Sequence, residues 1–198
     1  CQSQYNIEKQ NRKISPLLKH YQGRFQKERY EKLFVLAEGH AKFNCSLLEE
    51  KVTIMKMKVF IGAWNVEKIT GLLAVVAQTW SRGNFKLEIE IAPEKGSDVI
   101  EIIPTNGFIS YVPNNNTNLV YLSQQLDERT QGRVLAHEFG HVLGFPDCYT
   151  EFFDGERSDL VYYEQPATDT NMMCSLKEGV SIPDAYLAQL AQRSCVFN

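Results

Sequence analysis

The sequence predicts an α+β domain in which helices pack on a twisted β-sheet. Apolar side chains recur at helical spacing after residue 66, alternate strictly over residues 85–91, and continue in short β-rich segments to residue 122. A second helical segment follows, which gives the element order β-α-β-β-β-β-α. With 198 residues, the chain has the length of one domain, or of one domain with an extension.

Composition and charge exclude two classes of protein. Apolar residues make up 43% of the chain and charged residues 23%, as in an ordinary soluble globular domain. The net charge of −3 argues against a nucleic-acid binder, which needs a basic surface. The most apolar run, residues 69–77, is interrupted by Gly71 and is too short to cross a bilayer. We therefore expect a soluble monomer that binds no nucleic acid.

The first 48 residues differ in character from the rest of the chain. They are polar and charged, they are punctuated by Pro16 and Gly23, and residues 28–37 have the apolar spacing of a helix. We expect residues 1–48 to be an extension that tethers the main domain, residues 49–198, or packs on it.

The chain starts at Cys1, followed by a polar stretch, and not at an initiator methionine. A mature bacterial lipoprotein begins in this way, with the lipid carried by the cysteine after removal of a signal peptide. We therefore expect an extracytoplasmic protein, either secreted or a lipoprotein tethered to the membrane of the cell envelope through Cys1.

Four further cysteines form an even set: Cys45, Cys148, Cys174 and Cys195. In an exported protein such a set predicts two disulfide bonds. The residues alone leave the three ways of pairing them open.

The main domain begins with a β-rich segment at residues 52–63, which predicts a first strand. A helix follows at residues 66–80, and the turn around Gly83 ends it. Strict alternation then predicts a half-exposed strand at residues 85–91. Three further short strands are expected, at residues 99–103, 107–112 and 119–122.

A second long helix should start near Asp127 or Thr130 and run to about residue 143. Gly144 would supply the left-handed residue that closes this helix. The remainder of the chain is loop-rich until a last helix at residues 183–193.

Two histidines on the second helix have the spacing of metal ligands. His137 and His141 are four residues apart, so both imidazoles project from one face and can reach one metal ion. Glu138 is one residue further round the helix, where it can contact an activated water without being a ligand. Two ligands and one general base are the arrangement of a zinc peptidase.

The residues after the helix extend this pattern. Gly144 lets the chain turn sharply, and Asp147 follows where its carboxylate can return to the same ion. The string His137-Glu138-x-x-His141-x-x-Gly144-x-x-Asp147 resembles the metzincin clan of zinc endopeptidases. It is most similar to the snapalysins, small secreted bacterial proteases that share the Asp and a Tyr two residues later.

The resemblance implies a mostly parallel sheet with an antiparallel edge strand, residues 107–112 or 119–122, that aligns the substrate backbone by strand addition. It implies one catalytic Zn²⁺ held by His137, His141 and Asp147, with Glu138 as general base and a protein or peptide as substrate.

A second part of the resemblance concerns residues 171–174, which look like the metzincin turn that carries a methionine, here Met173, beneath the zinc site. Tyr149 is the implied donor to an oxyanion, with Tyr162 and Tyr163 as alternatives. The fold would bring Cys148 close to Cys174. That leaves two cysteines for a second bridge, Cys45 and Cys195.

The chain also departs from the clan. Most metzincins have His where this chain has Asp147, and several have Tyr where it has Ser175. Two alternatives therefore remain: a catalytically silent zinc-containing binding domain on the cell surface, and a thermolysin-type peptidase whose third ligand is a distant Glu. The sequence does not indicate the side-chain preference.

Overall fold

The structure is a computed structural model. It describes residues 35–37, 41–48, 51–147, 170–175 and 179–197, together with the backbone of residues 149–154 and 159–164. All of these belong to one compact unit, Val35–Asn198. Cys1 and most of the helix expected at residues 28–37 lie outside the described residues.

In chain order, the described residues form eight strands, three α-helices and one π-helical turn: β1 (Phe43–Leu47), β2 (Thr53–Phe60), α1 (Val66–Thr79), β3 (Phe85–Ile91), β4 (Val99–Thr105), β5 (Leu119–Ser123), α2 (Glu128–Val142), β6 (Tyr149–Asp154), β7 (Asp159–Glu164), α3 (Asp184–Gln189), the turn Leu190–Ser194 and β8 (Cys195–Phe197).

The main sheet is built around β2. β3 runs parallel to nearly the whole of β2. β1 pairs antiparallel with the first half of β2, and β4 pairs parallel with the last residues of β2. β5 lies parallel beside β4, and β8 lies parallel beside β1. The architecture is therefore a mixed α/β fold with a mostly parallel sheet, as predicted at that level. β1 lies within the first 48 residues and is a strand of the main sheet.

The antiparallel edge is shorter than a strand. Residues 119–122 cannot supply it, because β5 is parallel to β4, and that alternative is wrong. Tyr111 instead exchanges two backbone hydrogen bonds of 2.9 Å with Tyr121, as an isolated antiparallel pair. The ladder stops in one direction because Pro113 has no N–H. It stops in the other direction at Ser123, the residue that would pair next. The N–H of Ser123 donates to Ser110 Oγ, and its carbonyl accepts from Gln131 Nε2.

Helix caps set the bounds of the two long helices. The Asn65 side chain accepts a hydrogen bond of 2.9 Å from Lys68 N at the start of α1, and Asp127 accepts one of 3.0 Å from Thr130 N at the start of α2. Gly144, with φ of 99°, takes the left-handed conformation that turns the chain after α2. The ends of both helices agree with the prediction to within a few residues.

The core lies between the inner face of the sheet and the helices. Alternate residues of β2 are buried, Met55, Met57 and Val59, and the lysines between them are exposed. Helix α2 is buried along most of its length, from Gln131 to Val142. The histidine-bearing helix is thus part of the core, with only one side open to solvent.

The part of the chain after residue 147 contains more regular structure than predicted. β6 and β7 form an antiparallel pair in which Tyr149 lies opposite Glu164, where a loop was expected. The last helix ends at Gln189 as an α-helix and continues as the wider π-helical turn, which leads into β8.

The cysteines support an oxidising location. Cys45 of β1 is bonded to Cys195 of β8, which confirms that predicted pair. Cys174 is also disulfide-bonded, but its predicted partner Cys148 lies outside the described residues, so the second pairing stays a prediction. Disulfide bonds of this kind indicate an oxidising, extracytoplasmic compartment. In the described part of the chain, no helix is long and apolar enough to cross a membrane.

Candidate metal centre and cleft

The two histidines of α2 present their rings to the same point. Their positions four residues apart put them one turn above each other, with ring centroids 4.9 Å apart and planes at 89°. His137 is 2% exposed, so its ring is almost completely removed from bulk water.

Backbone carbonyls orient both rings. His137 Nδ1 lies 2.9 Å from Met172 O, and His141 Nδ1 lies 2.9 Å from Phe145 O. A carbonyl can only accept, so each Nδ1 must carry its hydrogen. In the neutral rings the lone pair is therefore on Nε2, and both Nε2 atoms face Asp147. Metal-binding histidines are held by this kind of outer hydrogen bond.

Asp147 completes a three-ligand group. Its Oδ1 lies 3.0 Å from His137 Nε2 and 3.3 Å from His141 Nε2, and the three ligand atoms lie within 4.8 Å of one another. When the rings are neutral, no hydrogen lies between these atoms, and the buried Oδ1 is left without a donor. Three converging lone-pair donors suit a cation, so His137, His141 and Asp147 could hold a metal ion.

The charges of this group are coupled. Burial alone would raise the pKa of Asp147, but its contacts with His137 and His141 hold it well below the ordinary range. Burial alone would lower the pKa of His141, but the hydrogen bond and charge of Asp147 raise it above the ordinary value. Protons therefore compete for the place that a metal ion would take.

Glu138 lies next to this group with part of its carboxylate unsatisfied. The side chain is 5% exposed, and its Oε2 has no hydrogen-bond partner. Burial raises its pKa above the ordinary value, although the charges of His137 and His141 oppose the shift. The backbone amide of Val112 opposes the shift as well, and so relates the edge segment to Glu138.

These groups lie in a cleft of about 500 Å³. One wall is the edge segment from Ile109 to Asn114, and the other comes from α2 and the turn that follows it. Glu138, His141 and Asp147 are the titratable residues of the two walls apart from Tyr111, and none of the described lining residues is Lys or Arg. A larger groove of about 900 Å³ lies over the sheet, but none of the three possible metal ligands lines it.

The methionine turn lies directly beneath the helix. Met173 is fully buried, and its N–H donates to Asn171 Oδ1 at 3.0 Å. A Cβ placed on Gly140 would lie 2.1 Å from Met173 Sδ, so only glycine lets this thioether reach the helix between the two histidines. Sequence reasoning missed Gly140. The available signal was a glycine inside a helix. Glycine there destabilises the helix by about 1 kcal/mol relative to alanine, so its presence indicates a close packing contact.

An aromatic stack supports the turn after α2, and it too was missed. Phe145, whose carbonyl orients His141, stacks on Tyr186 with centroids 4.0 Å apart and on Trp80 at 5.9 Å. Trp80 Nε1 donates to Ala136 O at 2.8 Å, next to His137. The stack joins α1, the turn and α3 behind the metal ligands.

The predicted tyrosine donors fall where only the backbone is described. Tyr149 is the first residue of β6, two positions after Asp147, and Tyr162 and Tyr163 are in β7. Their side chains lie outside the described residues. Ser175, at the position where several metzincins have Tyr, is fully buried.

Comparisons with known proteins add little to this geometry. No family model matches the chain, and no curated protein matches it. The chain is similar to a solved structure of myroilysin, with a TM-score of 0.34 and 18% sequence identity over 46% of this chain and 48% of that chain. The match thus spans about half the length of that protein. The likeness is distant.

Proposed function

We propose that the protein is a zinc-dependent endopeptidase that hydrolyses peptide bonds of proteins. One observation carries the proposal: two imidazole Nε2 atoms and a carboxylate oxygen converge within 4.8 Å beside the buried, unpartnered carboxylate oxygen of Glu138. A metal site that serves only to stabilise a fold has no need of a second carboxylate, held apart from the ligands and open to the cleft.

The donor set favours zinc. Two imidazole nitrogens and one carboxylate oxygen are common ligands of catalytic zinc, and three protein ligands leave a fourth position open. The outer hydrogen bonds from Nδ1 to Met172 O and Phe145 O fix both rings in the tautomer that such a site needs. The ligands are on a buried helix and on the turn that closes it, so the site is built on a rigid part of the fold.

A zinc ion bound there supplies a Lewis acid that lowers the pKa of water and polarises a carbonyl oxygen. Glu138 takes the proton from the attacking water at its carboxylate and returns it to the nitrogen of the leaving amine. Because burial raises its pKa, Glu138 is a stronger base than an exposed carboxylate.

The cleft fits an extended polypeptide. In the described residues, the edge segment beside Glu138 has one backbone pair with β5, and we assign its outer side to the alignment of a substrate strand. Tyr149 comes two positions after Asp147 in the sequence, and we propose that it donates a hydrogen bond to the developing oxyanion. We assign it that role from the resemblance to the snapalysins.

The location belongs to the same proposal. A disulfide-bonded peptidase of this size is suited to the oxidising space outside the cytoplasm. We propose that the protein is exported and acts there as a monomer.

The test compares zinc-loaded wild type with Glu138→Gln on a mixed peptide library read by mass spectrometry. Wild type should cut, a zinc chelator should stop the cutting, and Glu138→Gln should bind one zinc without cutting. Glu128→Gln is the matched control, because Glu128 is on the same helix but is exposed at its first residue. Cleavage by Glu138→Gln at the wild-type rate would contradict the mechanism, and a zinc-loaded wild type that cuts nothing would favour a silent binding domain.

A further inference from the structure

Two adjacent apolar side chains project into solvent at the start of the edge segment, and the second of them lines the cleft. Phe108 is 81% exposed and Ile109 is 69% exposed, the highest values among the large hydrophobic residues that the structure describes. A single exposed apolar residue is common on protein surfaces. Two in succession beside a cleft indicate a place where another molecule covers them.

The segment that carries them is held in place at both ends. Ser123 Oγ donates to Gly107 O at 2.6 Å, and Ser123 N donates to Ser110 Oγ at 2.9 Å. One buried serine thus anchors the residues on either side of the pair. Phe108 and Ile109 are therefore kept projecting from this segment, and they do not fold back onto the core.

The next residue along strengthens this anchor. Tyr111 pairs with Tyr121 by two backbone hydrogen bonds, and their rings stack with centroids 4.7 Å apart. Gln131 Nε2 donates to Ser123 O at 2.7 Å and so ties the anchor to α2. A fixed apolar surface loses little entropy on binding, which favours its use in recognition.

The position of the pair relates it to the candidate site. Ile109 lines the cleft, and Val112, three residues later, lines the same cleft together with Glu138. Three residues of chain span at most about 10 Å. A peptide lying along this segment would reach the apolar pair within about three residues of the bond being cut.

The rest of the lining gives little scope for recognition by charge. Among the lining residues that the structure describes, the charged groups are the metal-site residues themselves, Glu138, His141 and Asp147. Substrate side chains must therefore be distinguished mainly by shape and apolar contact.

We propose that Phe108 and Ile109 form a specificity surface that selects peptides with a large apolar side chain within about three residues of the cleaved bond. This inference rests on the proposed peptidase function and names the substrate class of that site. Covering one such side chain is worth about tenfold or more in binding.

Leu is first scanned through the three peptide positions on each side of the cleaved bond, to find the position nearest Phe108 and Ile109. The experiment then compares two peptides that differ only in having Leu or Ser at that position. Wild type should cut the Leu peptide about tenfold or more faster in kcat/KM, mainly through KM. Phe108→Ser combined with Ile109→Ser should lose that preference and cut the Leu and Ser peptides with similar kcat/KM. Phe108→Leu combined with Ile109→Leu should retain the preference.

Val66→Ser is the matched control, since Val66 is an apolar residue 62% exposed on α1 that does not line the cleft. It should leave the preference unchanged. A wild type without preference, or a serine double variant that keeps it, would overturn the inference, as would an equal fall on both peptides.

A binding measurement separates this inference from the proposed function. Fluorescent Leu and Ser peptides are titrated into zinc-loaded Glu138→Gln, with and without the double serine change. Tighter binding of the Leu peptide that depends on Phe108 and Ile109 would support the specificity surface even if wild type cut nothing. Equal binding of the two peptides would contradict it even if wild type were an active peptidase.

Discussion

Replacing Gly140 by Ala should weaken both the fold and the metal site. The new Cβ would lie 2.1 Å from Met173 Sδ, 2.7 Å from its Cε and 3.1 Å from Trp80 Cζ2. The end of a methionine can move when it has space, but Met173 and Trp80 are both fully buried. Overpacking of a core in this way costs about 1–3 kcal/mol. Displacement of the turn would also move Met172 O, which orients His137.

A control on the neighbouring helix isolates that cost. Gly71 is inside α1, and a Cβ there would meet nothing within 4 Å. Gly71→Ala should therefore gain the ordinary helix preference of about 0.5–1 kcal/mol. Gly140→Ala should have the same gain in helix preference, less the free-energy cost of the clash with Met173 and Trp80. The difference in unfolding free energy between the two variants therefore measures the cost of that clash. We expect a gap of about 1–3 kcal/mol.

The assay is urea unfolding of both variants with chelator present, followed by a zinc titration. Gly140→Ala should unfold at lower urea than Gly71→Ala and bind zinc more weakly than wild type. Adding Met173→Ala, which removes the clashing atoms, should recover part of the zinc affinity. If Gly140→Ala were as stable as Gly71→Ala, the account of the methionine as a close-packed floor would be wrong.

Three further predictions concern the ligands and their support. Asp147→Ala should weaken zinc binding by more than the roughly 10- to 100-fold that is lost when a hydrogen-bond partner of a ligand is changed. Competition with a chelating dye measures the affinity, and an unchanged affinity would mean that Asp147 is not a ligand. With chelator present, the raised pKa of His141 stabilises the fold fully below pH 6.5, its ordinary pKa, and this stability is lost at higher pH. The lowered pKa of Asp147 also stabilises the fold, and that stability is lost below pH 3.8, its ordinary pKa. Unfolding free energy from this pair should thus be higher at pH 5 than at pH 8, and zinc should bind more weakly at pH 5; the reverse order would contradict the coupling. Tyr186→Phe leaves the buried amide of Asn171 without its 3.1 Å partner and should cost about 1 kcal/mol in urea unfolding, whereas no loss would mean that this bond is not stabilising.

Elements with a strong local signal were predicted well. β3 was placed at its observed bounds because its alternation is strict and Gly83 precedes it with a φ of 57°. Helix α2 was placed to within a few residues, because Asp127 caps its start and Gly144 ends it. In both cases the information is contained in neighbouring residues.

Elements that depend on distant partners were missed. β8 is three residues long and exists as a strand because it pairs with β1, to which Cys195 is also bonded through Cys45. β1 was likewise placed in the extension, since nothing local marks it as a member of the sheet. The Cys45–Cys195 pair was still predicted, because the resemblance that brings Cys148 close to Cys174 leaves these two cysteines for the second bridge.

The site divides in the same way. His137, His141 and Asp147 are brought together by the geometry of one helix and one turn, which a local motif encodes. Their support is not local: Trp80 reaches the carbonyl of Ala136 across 56 residues, and Ser123 anchors residues more than ten positions earlier. Such contacts leave no periodic pattern, so only the structure reveals them.

The central claim is that a single bound zinc makes this cleft a peptidase. Metal-free protein should be titrated with zinc while bound metal and peptide cleavage are measured in the same samples. The account predicts that cleavage rises in proportion to bound zinc and stops rising at one ion per chain. Cleavage that is absent at full occupancy, or that is equally fast with chelator present, would contradict it.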